Sequence, residues 1–247
     1  MNLFLTLAFL FFIGSMSGWL LEVLFRRFLS EVNPEKKWIN PGFCTGPYLP
    51  LYGCGLCLMY LIASLEKFNF INDPFWEKIS LFIIMAICMT AIEYIAGVLS
   101  LKTIKVRLWD YSKEKGNIQG IICPRFSLIW ALLGALYYFL IHPHILGALN
   151  WLSNNLAFSF VIGLFFGIFI MDASSSIQLV TKLKKYAEEN EVIVRYEEIK
   201  KHIRTRYEKN KQKYDFFHPF RSDIPISEHL KELRDSFEIK KSKIKKR

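Results

Sequence analysis

Five stretches of the chain, residues 3–21, 43–65, 79–101, 126–141 and 151–171, are apolar with at most one charge each. In hydrocarbon every backbone N–H and C=O must be satisfied within its own segment, so runs of about 20 apolar residues cross as helices. Residues 3–21, 43–65 and 151–171 are uncharged and long enough. Residues 79–101 are interrupted only by Glu93, and the short run 126–141 gains length backward through Ile121-Ile122-Cys123-Pro124-Arg125. A soluble protein with five buried helices would need a polar shell, and residues 1–175 hold none. The pattern therefore predicts an all-α protein, a polytopic membrane helix bundle of five spans over residues 1–175. A basic, helical, cytoplasmic tail over 176–247 follows it.

Lys and Arg set the expected orientation, because they are retained on the cytoplasmic side of inserted helices. Arg26, Arg27, Lys36 and Lys37 follow the first span. Lys102, Lys105, Arg107, Lys113, Lys115 and Arg125 follow the third, and 20 more lie in the tail. Only Lys67 and Lys78 fall on the other side. An arrangement with the N-terminus outside and the C-terminus in the cytoplasm places 30 of the 32 basic residues together. The net charge of +10 then reflects sidedness and the tail, so a nucleic-acid partner is not implied. Basic residues beside a cytoplasmic leaflet are attracted to anionic lipid headgroups instead. The first span lacks a basic start and a small-residue cleavage site, so it is expected to remain attached.

Two acids sit in this apolar frame. A charge at the bilayer centre costs at least about 2.5–3.5 kcal/mol, so Glu22 and Glu93 need partners or a task. Glu22 lies four residues before Arg26, within reach of a local ion pair. Glu93 is nine residues, or about 13–14 Å of helix, before Lys102 and must face the bundle interior, protonated or paired across the fold. Arg125 is the expected partner.

Each acid is followed by an irregular segment and a new apolar run. Glu22 precedes Asn40, Gly42, Pro47 and Tyr52; Glu93 precedes Asn117, Gly120, Pro124 and Trp130. This is the pattern of two tandem two-helix units sharing one orientation, with the fifth span added. Irregular backbone at membrane depth is tolerated where protein or a wet cavity satisfies it. The two segments thus suggest a pocket with Glu22, Glu93 and Asp110 as anions, Asn40, Asn117 and Gln119 as amides, and Tyr48, Tyr52 and Tyr111 as hydroxyls. Helix capping by these loops is the plainer alternative.

Other features point less far. Gly14-Ser15-Met16-Ser17-Gly18 and Gly163-Leu164-Phe165-Phe166-Gly167 fit small-xxx-small helix packing, within one chain or in a homo-oligomer. Cys54-Gly55-Leu56-Cys57 has a redox spacing but lies in an apolar helix and is expected to pack. His142-Pro143-His144 reads as an outer loop, and His202, His218 and His229 are scattered through the tail, so no metal site and no cofactor is expected. In the tail, Ile177, Val180 and Leu183, then Val192, Tyr196, Ile199 and Ile203, form a helical stripe in need of a partner. Glu188 to Glu191 is expected to interrupt it, Phe216-Phe217-His218-Pro219-Phe220 to end it, Ser227 to cap a last helix, and residues 240–247 to be disordered.

The runs Gly18-Trp19-x-x-Glu22, Asn40-Pro41-Gly42-Phe43, Gly46-Pro47-x-x-Pro50-x-Tyr52-Gly53, Glu93-Tyr94-x-x-Gly97, Leu108-Trp109-Asp110-Tyr111-Ser112, Asn117-x-x-Gly120 and Trp130 resemble the CmpB-type bacterial membrane proteins, an ABC-transporter type IV permease family. The resemblance covers residues 10–140. It implies a transport component of the bacterial cell membrane working with a separate ATPase, since the phosphate-binding motif Gly-x-x-x-x-Gly-Lys-Ser/Thr is absent here. The leading expectation is a cytoplasm-facing carboxylate pocket, lined by the residues above with Arg125, for a small polar or cationic solute or a lipid headgroup. An enzyme acting on lipid-linked substrates is the first alternative, with Glu93 or Asp110 as base and Arg125 holding a phosphate. No Ser-His-Asp or Cys-His set stands out, and no catalytic residue is assigned. The second alternative is an assembly protein whose tail docks a cytosolic partner.

Overall fold

The structure is a computed structural model, and it describes residues 2–29, 33, 35–68, 70–209, 222 and 224–245. Among the described residues, five helical segments have the length and apolarity to cross a membrane. Helix α1, Leu3–Phe28, is capped by the Asn2 side chain, which accepts from the Phe4 N–H. Helix α2, Pro50–Ala63, starts with proline in its first turn, where the missing N–H costs nothing, and tightens into a 3-10 turn at Ser64–Phe68. Helix α3, Pro74–Leu99, is capped by Asp73 and widens into a π-turn at Ser100–Ile104. Lys105, in the left-handed region at φ 55°, ends it.

The fourth span departs from expectation. It runs on from α4, Pro124–Leu136, through a π-turn at Tyr137–Ile141 into α5, His142–Asn154. His142-Pro143-His144 is therefore part of a membrane-length helix and not a loop. A proline inside a helix removes one hydrogen bond and crowds the preceding turn, and the widened turn just before Pro143 accommodates it. Trp151 belongs to this span, and the fifth begins only after the break at Asn155, as α6, Ser159–Glu189.

Two hairpins, α1 with α2 and α3 with α4, make the closest helix pairings. The first small-residue run serves the first hairpin: a Cβ on Gly14 would lie 2.8 Å from Leu56 Cβ, and one on Gly18 2.2 Å from Tyr52 Cγ. Gly163 and Gly167 face open space. Leu10, Met59, Leu81, Met85 and Met89 fill the core between the hairpins. The Cys57 Sγ donates to the Leu7 carbonyl, and Cys54 and Cys57 are unbridged thiols.

Helix α6 continues without interruption past residue 175 and ends at Glu189 with Asn190 as its cap, where the acidic run had suggested a stop. A short strand β1, Val106–Arg107, pairs in parallel with β2, Val194–Arg195, joining the second connecting segment to the tail. Helix α7, Tyr196–Lys209, and helix α8, Ile226–Lys245, follow. The tail stripe finds its partner within the chain: Leu183, Tyr196, Ile199 and Ile203 bury themselves with Val106 and Leu230, and Val180 is also buried, while Ile177 and Val192 stay exposed. Helix α8 starts one residue before Ser227 and holds residues 240–245, expected to be disordered, in helix. Phe216 to Phe220 lie outside the described residues.

Adding a methyl at Gly53 places a Cβ 2.2 Å from Ser15 Oγ and 2.8 Å from the Phe11 carbonyl oxygen. Gly53→Ala should therefore destabilise the bundle by about 1–3 kcal/mol, the usual cost of overpacking. Gly163→Ala, within α6 and facing open space, should not destabilise and should gain up to about 1 kcal/mol of helix propensity. Thermal midpoints in detergent compare the two, and equal responses would contradict a backbone contact between α1 and α2.

Candidate functional site

Glu22 and Glu93 come from different hairpins yet face one another's surroundings. Glu22 lies in the last two turns of α1, where its Oε1 accepts from Arg26 Nε at 2.9 Å and its Oε2 from the Tyr52 hydroxyl at 3.0 Å. Tyr52 sits in the first turn of α2, and its ring lies 5.0 Å from that of Trp130 on α4. Trp130 in turn faces Glu93, whose Oε1 accepts from the Tyr111 hydroxyl at 3.1 Å. The indole interacts with the carboxylate, yet Glu93 Oε2 is buried with no well-formed hydrogen bond among the described residues. The Glu93 side of the site is shut, with the residue only 3% exposed. Over it the Tyr111 ring stacks on Phe126, centroids 4.3 Å apart and planes 8° from parallel.

The two units repeat this logic. In each, an acid near the end of one helix meets an aromatic residue from the start of the next, Tyr52 for Glu22 and Trp130 for Glu93. In each connecting segment an asparagine side chain accepts from a glycine N–H, Asn40 from Gly42 at 3.1 Å and Asn117 from Gly120 at 3.0 Å.

Tyr111 lies outside the spans, and burial together with the Glu93 charge pushes its phenol well above the ordinary range. It therefore stays protonated and donates. Arg125 does not reach Glu93. It is more than half exposed and pairs with Glu114 at 3.3 Å. Proline at 124 starts α4 at the bundle edge and turns Arg125 toward the loop, so the expected Glu93–Arg125 pair is replaced by the neutral Tyr111 donor.

The remaining expected pocket residues are spread around this centre. Asn40, buried, organises the first connecting segment: its Oδ1 also accepts from Trp19 Nε1 at 2.9 Å, and its Nδ2 donates to the Cys44 and Thr45 carbonyls at 3.3 and 3.1 Å. Tyr48 turns away from both glutamates and donates to Asp172 on α6. Asp110 is exposed and held by Ser112, Arg107 and Arg195. These contacts hold its carboxyl below the usual range against the pull of partial burial. Asn117 donates to the Glu114 carbonyl at 2.8 Å, and Gln119 sits exposed in a turn at φ 55°. The structure thus brings Glu22, Tyr52, Glu93 and Tyr111 together, joined by Trp130. Asn40 shapes the adjoining loop, and Asp110, Asn117, Gln119 and Arg125 sit in the outer turn.

Two groups were not expected. Asp172, the one acid in the first half of α6, accepts from the Thr45 N–H at 3.1 Å, the Thr45 hydroxyl at 2.7 Å, the Gly46 N–H at 2.7 Å and Tyr48. Its place at the end of an uncharged span was the available signal. The second group comes from the tail. Glu197 on α7 bonds Arg26 Nη1 at 3.0 Å, so this guanidinium bridges Glu22 and Glu197. Lys200 is 3% exposed and donates to the Asn40 carbonyl at 2.9 Å and to Glu197 at 3.4 Å. No local spacing signals contacts between residues some 160 positions apart.

The bundle and its buried acids define a multi-pass membrane protein with a polar centre between two hairpins. Residues 9–177, from within α1 to within α6, match the family described as "Putative ABC-transporter type IV", and the chain belongs to it. No curated protein sequence and no solved structure matches the chain.

Burial brings the Lys200 ammonium down from 10.5 to about 8, Glu197 opposing the shift and Arg26 adding to it. Between those two values the unfolded chain binds the proton that the folded one has lost, so stability rises with pH across the window. Below pH 8 both states carry the proton and the term is flat. The thermal midpoint of the wild type should therefore gain on that of Lys200→Met between pH 8 and 10.5, and parallel curves would contradict the buried ammonium.

Proposed function

We propose that this chain is the membrane component of an ABC-type transporter whose carboxylate site binds a cationic or hydrogen-bond-donating group of a small solute or lipid headgroup. The observation that carries the reading is Glu93 Oε2, a buried carboxylate oxygen beside the Trp130 indole with no well-formed hydrogen bond among the described residues, facing the environment of a second carboxylate. A donor group on a bound molecule would complete both the hydrogen bonding and the charge. Family membership supports the transport class, and ATP hydrolysis then falls to a separate chain.

The distribution of Lys and Arg supports a cytosolic orientation for the face carrying the site, the tail and the C-terminus. On that face the basic tail lies beside anionic lipid headgroups. We take residues 1–175 as the membrane unit and 176–247 as the tail unit docked on it. Entry to Glu93 requires the Tyr111–Phe126 stack to part, which makes the second connecting segment the moving cover. The alternative of an enzyme acting on lipid-linked substrates draws less from the geometry. Arg125 and Asp110 are each occupied in the outer turn, by Glu114 and by Ser112 with Arg107.

Native mass spectrometry of the protein released from its membrane is the test. The wild type should retain a bound molecule of defined mass, and Glu93→Gln should lose it while its thermal midpoint is kept. A hydrogen bond to a charged group is worth about 1.5–3 kcal/mol, so the variant's affinity should fall roughly 10- to 100-fold. Equal occupancy in both proteins would contradict the site.

A further inference from the structure

His202 and His229 lie on separate helices of the tail, and the fold brings them face to face. Their rings meet edge to face with centroids 5.4 Å apart. Glu232 stands one turn after His229 on the same face of α8, the i, i+3 spacing that places two side chains together. Its Oε2 is 3.1 Å from His202 Nε2. One ligating atom from each of the three residues lies within 4.8 Å of the other two. We propose that His202, His229 and Glu232 bind a divalent transition-metal ion, zinc being the best fit, and that the ion fastens α7 to α8.

A second observation points to the same ligand. His229 is fully buried, yet its Nδ1 has no hydrogen-bond partner among the described residues. A buried polar atom left unsatisfied costs about 1–3 kcal/mol, and a metal bond would satisfy it. The other ring nitrogen, Nε2, is 2.6 Å from Ser222 Oγ. With the proton on Nε2 and donated to Ser222, Nδ1 keeps its lone pair, the arrangement by which a second hydrogen bond selects the ligating tautomer of a metal-binding histidine.

The donor set suits zinc, for which two imidazoles and one carboxylate with an open fourth position are a common combination. Ligands at about 2.0–2.2 Å from one tetrahedral ion are separated by about 3.3–3.6 Å. The His202–Glu232 distance, 3.1 Å, needs to open only slightly to admit the ion. Glu232 is further held by Arg206, at 2.6 Å on its other oxygen, which fixes the carboxylate as an outer partner would. The three residues belong to the docked tail, apart from the carboxylates of the membrane bundle, so the site stands whether or not the transport reading does.

Titration of the untagged full-length protein in detergent with cobalt(II), followed by displacement with zinc, tests the proposal. The wild type should take up one equivalent with the absorption of a tetrahedral cobalt centre and give it up to zinc, and zinc should raise its thermal midpoint. His202→Asn and Glu232→Ala, both at partly exposed positions, should stay folded and lose both the stoichiometric uptake and the zinc-dependent stabilisation. Glu93→Gln should keep both. A folded wild type that takes up no equivalent, or variants at 202 and 232 that bind as the wild type does, would overturn the site.

Discussion

The backbone joining the first two spans runs irregularly beside apolar helices, and everything near the carboxylates depends on how its polar groups are satisfied. Asp172 supplies acceptors for two backbone N–H groups and two hydroxyls of this segment, and Asn40 makes four hydrogen bonds within it and to Trp19. An unsatisfied polar group in hydrocarbon costs several kcal/mol, so these two side chains hold the loop in a single path. That path delivers Pro50 to the start of α2 and sets Tyr52 against Glu22. It also presents the Asn40 carbonyl to Lys200, so the fifth span and the tail both clamp the same loop.

From this frame the two acids acquire different surroundings. Glu22 is charge-paired with Arg26 and only partly buried, whereas Glu93 has neutral neighbours, the Tyr111 hydroxyl and the Trp130 indole, and an oxygen with no well-formed hydrogen bond among the described residues. The asymmetry suits a site in which one carboxylate is permanently compensated and the other waits for a bound group. Arg26 adds a link to the tail, since it divides its donors between Glu22 and Glu197. A shift of α7 would change the charge balance at Glu22 directly.

Much of the architecture was legible in the chain itself. Apolar length and proline at the start of α2, α3 and α4 mark the spans because helix physics is local. The Glu22–Arg26 pair was legible for the same reason, being four residues apart on one helix. Glu93 was legible as a buried acid, but its partner was not: charge alone favoured Arg125, and a tyrosine hydroxyl carries no comparable signal. The His142-Pro143-His144 segment misled because a widened turn lets a helix continue through proline. The contacts of Asp172, Lys200 and the two tail histidines depend on how distant helices dock, which no periodicity encodes.

The account rests on Glu22 and Glu93 sharing one environment across Tyr52 and Trp130. A double-mutant cycle with Glu22→Gln and Glu93→Gln, read as unfolding free energy in detergent, measures that directly. Residues coupled through shared partners depart from additivity by about 0.5 kcal/mol or more. A coupling of that size is the predicted result, and effects that sum to within about 0.3 kcal/mol, as for independent sites, would contradict it.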